Sequence, residues 1–259
     1  MIAPALSTDE LAAYLDDAQR TVAEVEQLDI GLTLEQAYDV QRAVLARRVA
    51  RGERVVGAKL GFTSAAKMAQ MGISDIIVGE VTDAMAVADG GDVDLGRFIH
   101  PRIEPEVAFR LARDVDLADP HVDVVAAVDA VAPALEIIDS RYRAFRFSLP
   151  DVVADNTSAA AYVLGSWTPI AQAGDLGVLA VRLVVDGADA ETGSSADILG
   201  HPLAALRALV PLARGKGLQL PAGHVVLAGA ATAAVPFGES RVEAHVAGLG
   251  FVRVRGVRG

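Results

Sequence analysis

The chain has no cysteine in its 259 residues, which excludes disulfides and thiolate zinc sites and suits a reducing compartment. Aromatic residues make up only 5% and no long basic run interrupts a formal charge of −11, so stacking platforms and cationic patches for nucleic acid are missing. GxGxxG is absent, and Arg214-Gly215-Lys216-Gly217 lacks the following hydroxyl and the upstream glycine spacing of a phosphate loop. No uncharged apolar run reaches membrane-spanning length, and the opening MIAPALSTDELAAYLDDAQR has no basic segment ahead of an apolar one. These absences predict a cytoplasmic, water-soluble protein with neither nucleic-acid nor membrane partners. What is present is 52% hydrophobic and 22% charged residues, enough for one substantial core.

Ser7 with Glu10, and Thr33 with Gln36, have capping-box spacing just ahead of helical patterns. The second pattern places Ala37, Val40, Ala43 and Val44 on one face, carries Arg47 and Arg48 in its last turns, and stops at Gly52. Two N-terminal helices are therefore predicted. Beyond them VVGAKLGF, IEPEVAF, ALEIID, VRLVV, GHVVLAG, RVEAHV and FVRVR are short β-rich runs between Gly, Pro and Asp turns, and DGADAETG reads as a turn after one of them. Ser158 to Leu164 and Pro202 to Leu209 read as helical.

Polar residues intrude on three of the apolar runs. In HPRIEPEVAF the alternation of a strand sends Glu104 and Glu106 to one face and Ile103, Pro105 and Val107 to the other. Pro105 cannot donate to a ladder, which predicts an edge or irregular strand. Two like charges so close either face water or need a proton or cation between them. Glu136, inside ALEIID, is a third carboxylate in apolar surroundings; an oxygen-only set of this kind, without nearby histidine, suits a hard cation such as Mg²⁺, with Mn²⁺ as an alternative. The five histidines are scattered and read as structural. Lys59, amid Val55, Val56, Leu60 and Phe62, is costly to bury unless it faces carboxylates or an anion, where it could relay a proton or steady an enolate oxygen. Asp83 in GEVTDAM either orients that lysine or forms an ordinary turn.

GAKLGFTSAAKMAQMG, GEVTDAM, HPRIEPEVAF, ALEIIDSRYRAFRFSLPDVVADNTS, LGHPLAAL and LPAGHVVLAGA together resemble the 4-oxalocrotonate decarboxylase and 2-hydroxypenta-2,4-dienoate hydratase group of the fumarylacetoacetate-hydrolase-like superfamily. The likeness runs from about Leu34 to the C-terminus. It implies an α+β fold, a strand-rich mixed rolled β-sheet at 54–259 that binds metal and carries catalysis, preceded by a helical region at 1–53. It also implies that Glu104, Glu106 and Glu136 hold the metal while Lys59 and Asp83 serve in proton transfer or substrate positioning. Ala230 departs from the pattern, standing where many relatives carry serine; Thr232 is left as the candidate hydroxyl at the substrate.

A small anionic 2-oxo acid is the implied substrate. KMAQMG favours the decarboxylase branch, and Arg141, with Arg143 and Arg146 beside it, is the candidate anchor for the distal carboxylate of a diacid. The expected reaction is decarboxylation of 2-oxohex-3-enedioate to 2-hydroxypenta-2,4-dienoate in catechol meta-cleavage. Hydration of that dienoate is the nearest alternative, hydrolysis of an acylpyruvate a more distant one, and non-catalytic binding belongs to another class. The resemblance further implies an oligomer and association with a companion hydratase.

Overall fold

The computed structural model describes residues 6–27, 30–64 and 75–259. Helices α1 (Thr8–Thr21) and α2 (Leu34–Ala50) both open on complete capping boxes, Ser7 with Glu10 and Thr33 with Gln36. Each box satisfies amide groups that a helix start leaves without partners. On α2, Ala37, Tyr38, Val40, Val44 and Leu45 turn inward, while buried Gln41 donates to the carbonyls of Val78 and Val153. That amide ties the helix to the sheet without leaving its own donors bare.

The larger sheet contains β1 (Val55–Gly61), β2 (Ile77–Thr82), β3 (Ala86–Val87), β5 (Arg102–Leu111), β6 (Val128–Ile138), β7 (Ala159–Leu164) and β11 (Val225–Ala230) in the order β2-β1-β11-β5-β6-β7-β3. Two short strands join it, β12 (Val235–Pro236) on β5 and β8 (Thr168–Pro169) on β6. Its pairings are mixed: β1 with β11 and β3 with β7 are parallel, the others antiparallel. A second sheet runs β10 (Ala188–Ser194), β9 (Ala180–Val185), β13 (Arg241–Val246), β14 (Gly250–Val257) and β4 (Asp92–Asp94). The turn between β9 and β10 is only Asp186-Gly187, both at positive φ (49° and 83°), as a two-residue hairpin of matching twist requires; the rest of DGADAETG is strand.

Alternation sorts the large sheet's side chains. Ile103, Leu135 and Ile137 face the second sheet and pack with Leu183, Val242, Val252 and Val254. Val107 and Phe109 join the apolar cluster shared with α1, α2 and α3 (Pro202–Lys216). The remaining face holds a smaller core of Ala108, Ala134, Tyr162 and Leu227, and its polar positions form the site. Among the described residues one run, Ser195–Lys216, has the length and apolarity to cross a membrane; here α3 buries Leu206, Leu209 and Ala213 against the sheet.

Two expectations about elements change. Ala159–Leu164 is strand β7, not helix, because pairing with β6 outweighs the helical propensity of an alanine-rich run. The strand carrying Pro105 is interior, flanked by β11 and β6. Leu227 pairs with Ala108 and Ala230 with Glu106, so β11 carries one extra residue opposite Val107, and the Pro105 carbonyl accepts at 3.0 Å from Ala231, just past the end of β11. Proline's missing donor therefore falls where β11 has already ended, next to a bulged stretch, so the irregular alternative holds and the edge one does not.

Candidate metal centre

Glu104 of β5 lies directly opposite Glu136 of β6, and Glu106 lies opposite Ala134, whose methyl leaves the carboxylates room. Facing like charges destabilise a bare sheet. All three glutamates are buried, and each offers a carboxylate oxygen within 4.8 Å of the others. The bulged Gly229, at φ +106°, donates its amide to Glu106 Oε2 at 2.8 Å. Glu106 Oε1 and both oxygens of Glu136 accept no hydrogen bond among the described residues. Buried carboxylate oxygens without donors fit a hard, oxygen-seeking cation.

Lys59 enters from β1. Its Nζ donates to the Thr157 carbonyl at 2.9 Å and stands 3.1 Å from Glu136 Oε1, an ion pair without hydrogen-bond alignment. Burial alone would push the ammonium pKa down, but Glu136, Glu104 and Glu106 outweigh it and hold it above the usual lysine value. Burial, reinforced by the charges of Glu136 and Glu104, lifts Glu106 well above the ordinary carboxylate range. Burial likewise lifts Glu136 to about 7 against the pull of Lys59. Among the described residues, three carboxylates and one ammonium leave an excess of negative charge that a divalent cation would neutralise.

Thr157 is held in an unusual backbone. Asn156, Thr157 and Ser158 are consecutive left-handed residues with φ of 47°, 53° and 57°, a conformation that costs non-glycine residues roughly 1–2 kcal/mol each. Asn156 offsets part of this by clamping Glu80 of β2, accepting from its amide at 2.9 Å and donating to its carbonyl at 2.8 Å. The turn aims the Thr157 carbonyl at Lys59. Above these groups opens a cavity of ≈ 360 Å³, lined by Lys59, Glu104, Thr157 and Ser158 at its polar end and by Phe62, Phe145, Phe147, Val152 and Ile138 elsewhere. Arg102 lines it as well.

Three candidate residues sit elsewhere. Asp83 follows β2, four residues beyond Gly79, the register partner of Lys59, or about 13 Å along the strand; Arg54 binds its carboxylate through Nε and the backbone amide, both at 2.9 Å. Those hydrogen bonds hold the Asp83 pKa below the usual range. Arg141 is buried, and Asp155 together with the carbonyls of Asp139, Asp155 and Ala159 consumes its guanidinium. It braces the loop behind Glu136 and does not line the cavity. Thr232 donates to the Ala233 carbonyl at 3.0 Å; its neighbours Ala230, Ala233 and Ala234 line the cavity instead. Arg143 pairs with Glu24 and Glu26. KMAQMG lies outside the described residues.

In EIIDSR, then, each polar side chain has a separate task. Glu136 joins the Glu104–Glu106 cluster, Asp139 accepts the amides of Ile99 and His100 at 2.8 Å each, and Arg141 secures Asp155. Sequence reasoning missed the Thr157 carbonyl, the Gly229 amide and Arg102. The first two leave no signal in side-chain type. The third did: the two-residue period of Glu106 and Glu104 reaches Arg102 one step earlier.

The chain belongs to the fumarylacetoacetate (FAA) hydrolase C-terminal family, whose model matches residues 54–256. Within that family it is 47% identical over 233 residues to a 4-oxalocrotonate decarboxylase from a Pseudomonas species, covering 89% of this chain and 90% of the relative. A 2-keto-4-pentenoate hydratase from Paraburkholderia xenovorans is 38% identical over 225 residues, 86% of this chain and 83% of the hydratase. Among solved structures, 4-oxalocrotonate decarboxylase from Pseudomonas putida complexed with magnesium and adipate superposes with a TM-score of 0.90 at 36% identity, covering 96% of this chain and 97% of that one.

Proposed function

We propose that the protein decarboxylates 2-oxohex-3-enedioate to 2-hydroxypenta-2,4-dienoate with a divalent metal, Mg²⁺ or alternatively Mn²⁺, in the meta-cleavage degradation of catechols. The observation that carries the reading is the meeting of three buried glutamates with a buried lysine beside a cavity that Lys59 and Glu104 line. The extensive likeness to 4-oxalocrotonate decarboxylases supports it.

Glu104, Glu106 and Glu136 would hold the metal. When bound, it supplies Lewis-acid stabilisation of negative charge at the 2-oxo oxygen. The Gly229 amide fixes one oxygen of Glu106 and so orients that carboxylate. Lys59, kept protonated by the glutamates and aimed by the Thr157 carbonyl, stands where it can steady or protonate the developing enolate oxygen. In the reaction the bond between the distal carboxylate and its neighbouring methylene breaks. Its electron pair moves along the conjugated chain to the 2-oxo oxygen, which takes up a proton as neutral CO₂ leaves. Phe147, Val152 and Ala234 keep water from the chain, and an apolar surround favours departure of an uncharged product.

Asp83 and Thr232 act from outside this cavity in the proposal, Asp83 by fixing the end of β2 through Arg54 and Thr232 by shaping the chain beside Ala233. The reaction belongs in the cytoplasm, in keeping with a cysteine-free chain. The protein forms an oligomer and passes its short-lived dienol to a companion hydratase, an association that co-purification from the native cell would detect.

The test supplies the enedioate with Mg²⁺ to purified protein and follows CO₂ alongside the five-carbon dienol. Stoichiometric CO₂ is expected. Consumption of supplied dienol by water addition, with the diacid untouched, would instead establish the hydratase reading that the second group of relatives supports.

A further inference from the structure

Among the described residues Arg102 is the arginine that lines the cavity. It lies two residues before Glu104 on β5, so alternation puts it on the glutamates' face, about 7 Å along the strand at its exposed first residue. Lys59, Glu104 and Arg102 are the charged side chains among the described lining residues. Several other arginines are matched by acids: Arg141 with Asp155, Arg143 with Glu24 and Glu26, Arg110 with Asp129, Arg54 with Asp83. The Arg102 guanidinium has no carboxylate partner among the described residues; its carbon lies 4.7 Å from the centroid of the Phe145 ring. Stacking on a ring fixes the plane of a guanidinium while leaving its in-plane N–H fork able to receive an anion.

Phe145 is itself held in place. It sits at φ 55°, after Ala144 at φ 53°, and its ring is 4.9 Å from that of His100. Arg143, two residues earlier, is pinned by Glu24 and Glu26. A backbone kept in the left-handed region at a cavity wall is a conformation the surroundings must enforce.

We propose that Arg102, presented by Phe145, is the specificity-determining residue that receives the distal carboxylate of a diacid and so separates diacid from monoacid substrates. The proposal rests on the metal-centred reading above, which fixes the opposite end of the substrate at the glutamates. Because the carboxylate that Arg102 receives is the one lost as CO₂, the arginine stabilises the bound substrate more than the transition state. Its contribution therefore lies in KM, with kcat left unchanged or raised when it is removed.

The experiment measures binding of 2-oxoadipate and 2-oxohexanoate, a pair differing only at the far carboxylate, to Mg²⁺-loaded wild type, Arg102→Met and Phe145→Leu by calorimetry. Wild type should prefer the diacid. Arg102→Met should weaken 2-oxoadipate by tenfold or more while 2-oxohexanoate changes less than twofold, and Phe145→Leu should lose part of the same preference. With the enedioate, Arg102→Met should raise KM without lowering kcat. Equal weakening of both acids, an unchanged diacid preference, or a fall in kcat at constant KM would each overturn the assignment. Mg²⁺ titration of Arg102→Met separates the two readings: normal metal binding with unchanged diacid preference defeats Arg102 alone, whereas failure of wild type to bind Mg²⁺ defeats the metal centre and this inference with it.

Discussion

Lys59 shows how a residue's worth depends on its partners. A buried ammonium is expensive alone, yet here three carboxylates keep it charged and one carbonyl aims it. Lys59→Met should lower turnover by about 10²–10⁴-fold, the usual range for losing a positioned acid or base, while Mg²⁺ affinity changes far less. Steady-state kinetics beside metal titration checks this, and an unchanged rate removes Lys59 from proton transfer. Glu80 gives the opposite case. Burial pushes it up to about 7 although Arg42 opposes. An acid whose folded pKa is raised binds its proton more tightly in the native state, so stability increases as pH falls from about 7 toward the ordinary glutamate value. Glu80→Gln should therefore raise Tm at pH 8 and leave it nearly unchanged at pH 5; an equal shift at both would show that ionisation is not the cause. The convergence of Glu104, Glu106 and Glu136 was legible because a two-residue period fixes faces and each glutamate interrupts an apolar run. The surroundings of Asp83 and Arg141 were not, since residue type says nothing of which opposite charge will be nearest. Arg54 and Asp155 come from the far side of loops.

The β5–β11 pair carries the same lesson at the level of elements. Proline in β5 signalled an edge or irregular strand; the strand is interior but irregular, with β11 ending just before it meets Pro105, and the bulge opposite Val107 turns the Gly229 amide onto Glu106. Gly229 sits at φ +106°, and a Cβ there would collide with Thr63 Oγ1. Gly229→Ala should cost roughly 2 kcal/mol or more in denaturant unfolding and weaken Mg²⁺ binding as Glu106 loses its orienting donor. Wild-type stability and affinity in that variant would show that the bulge is incidental to the site. The capped helices and most strands were legible from local pattern, because capping and alternation are local physics. Ala159–Leu164 was not: its strand state depends on partners far away in sequence.

Across the whole molecule, stability and chemistry occupy different faces of one sheet. One side of its interior strands is closed by the second sheet and the helices through large aliphatic clusters, which supply the burial that drives folding. The opposite face can then carry three carboxylates and a lysine over a smaller core. The curled mixed sheet with N-terminal helices matches the α+β expectation, and the family match at residues 54–256 accounts for it. The central claim is that this face holds a divalent cation. Calorimetric titration of metal-free protein with Mg²⁺, wild type beside Glu106→Gln, tests it most directly. The account predicts saturable binding by wild type and at least a tenfold weakening in a Glu106→Gln protein that remains folded by circular dichroism. No binding by wild type, or equal binding by both proteins, would contradict it.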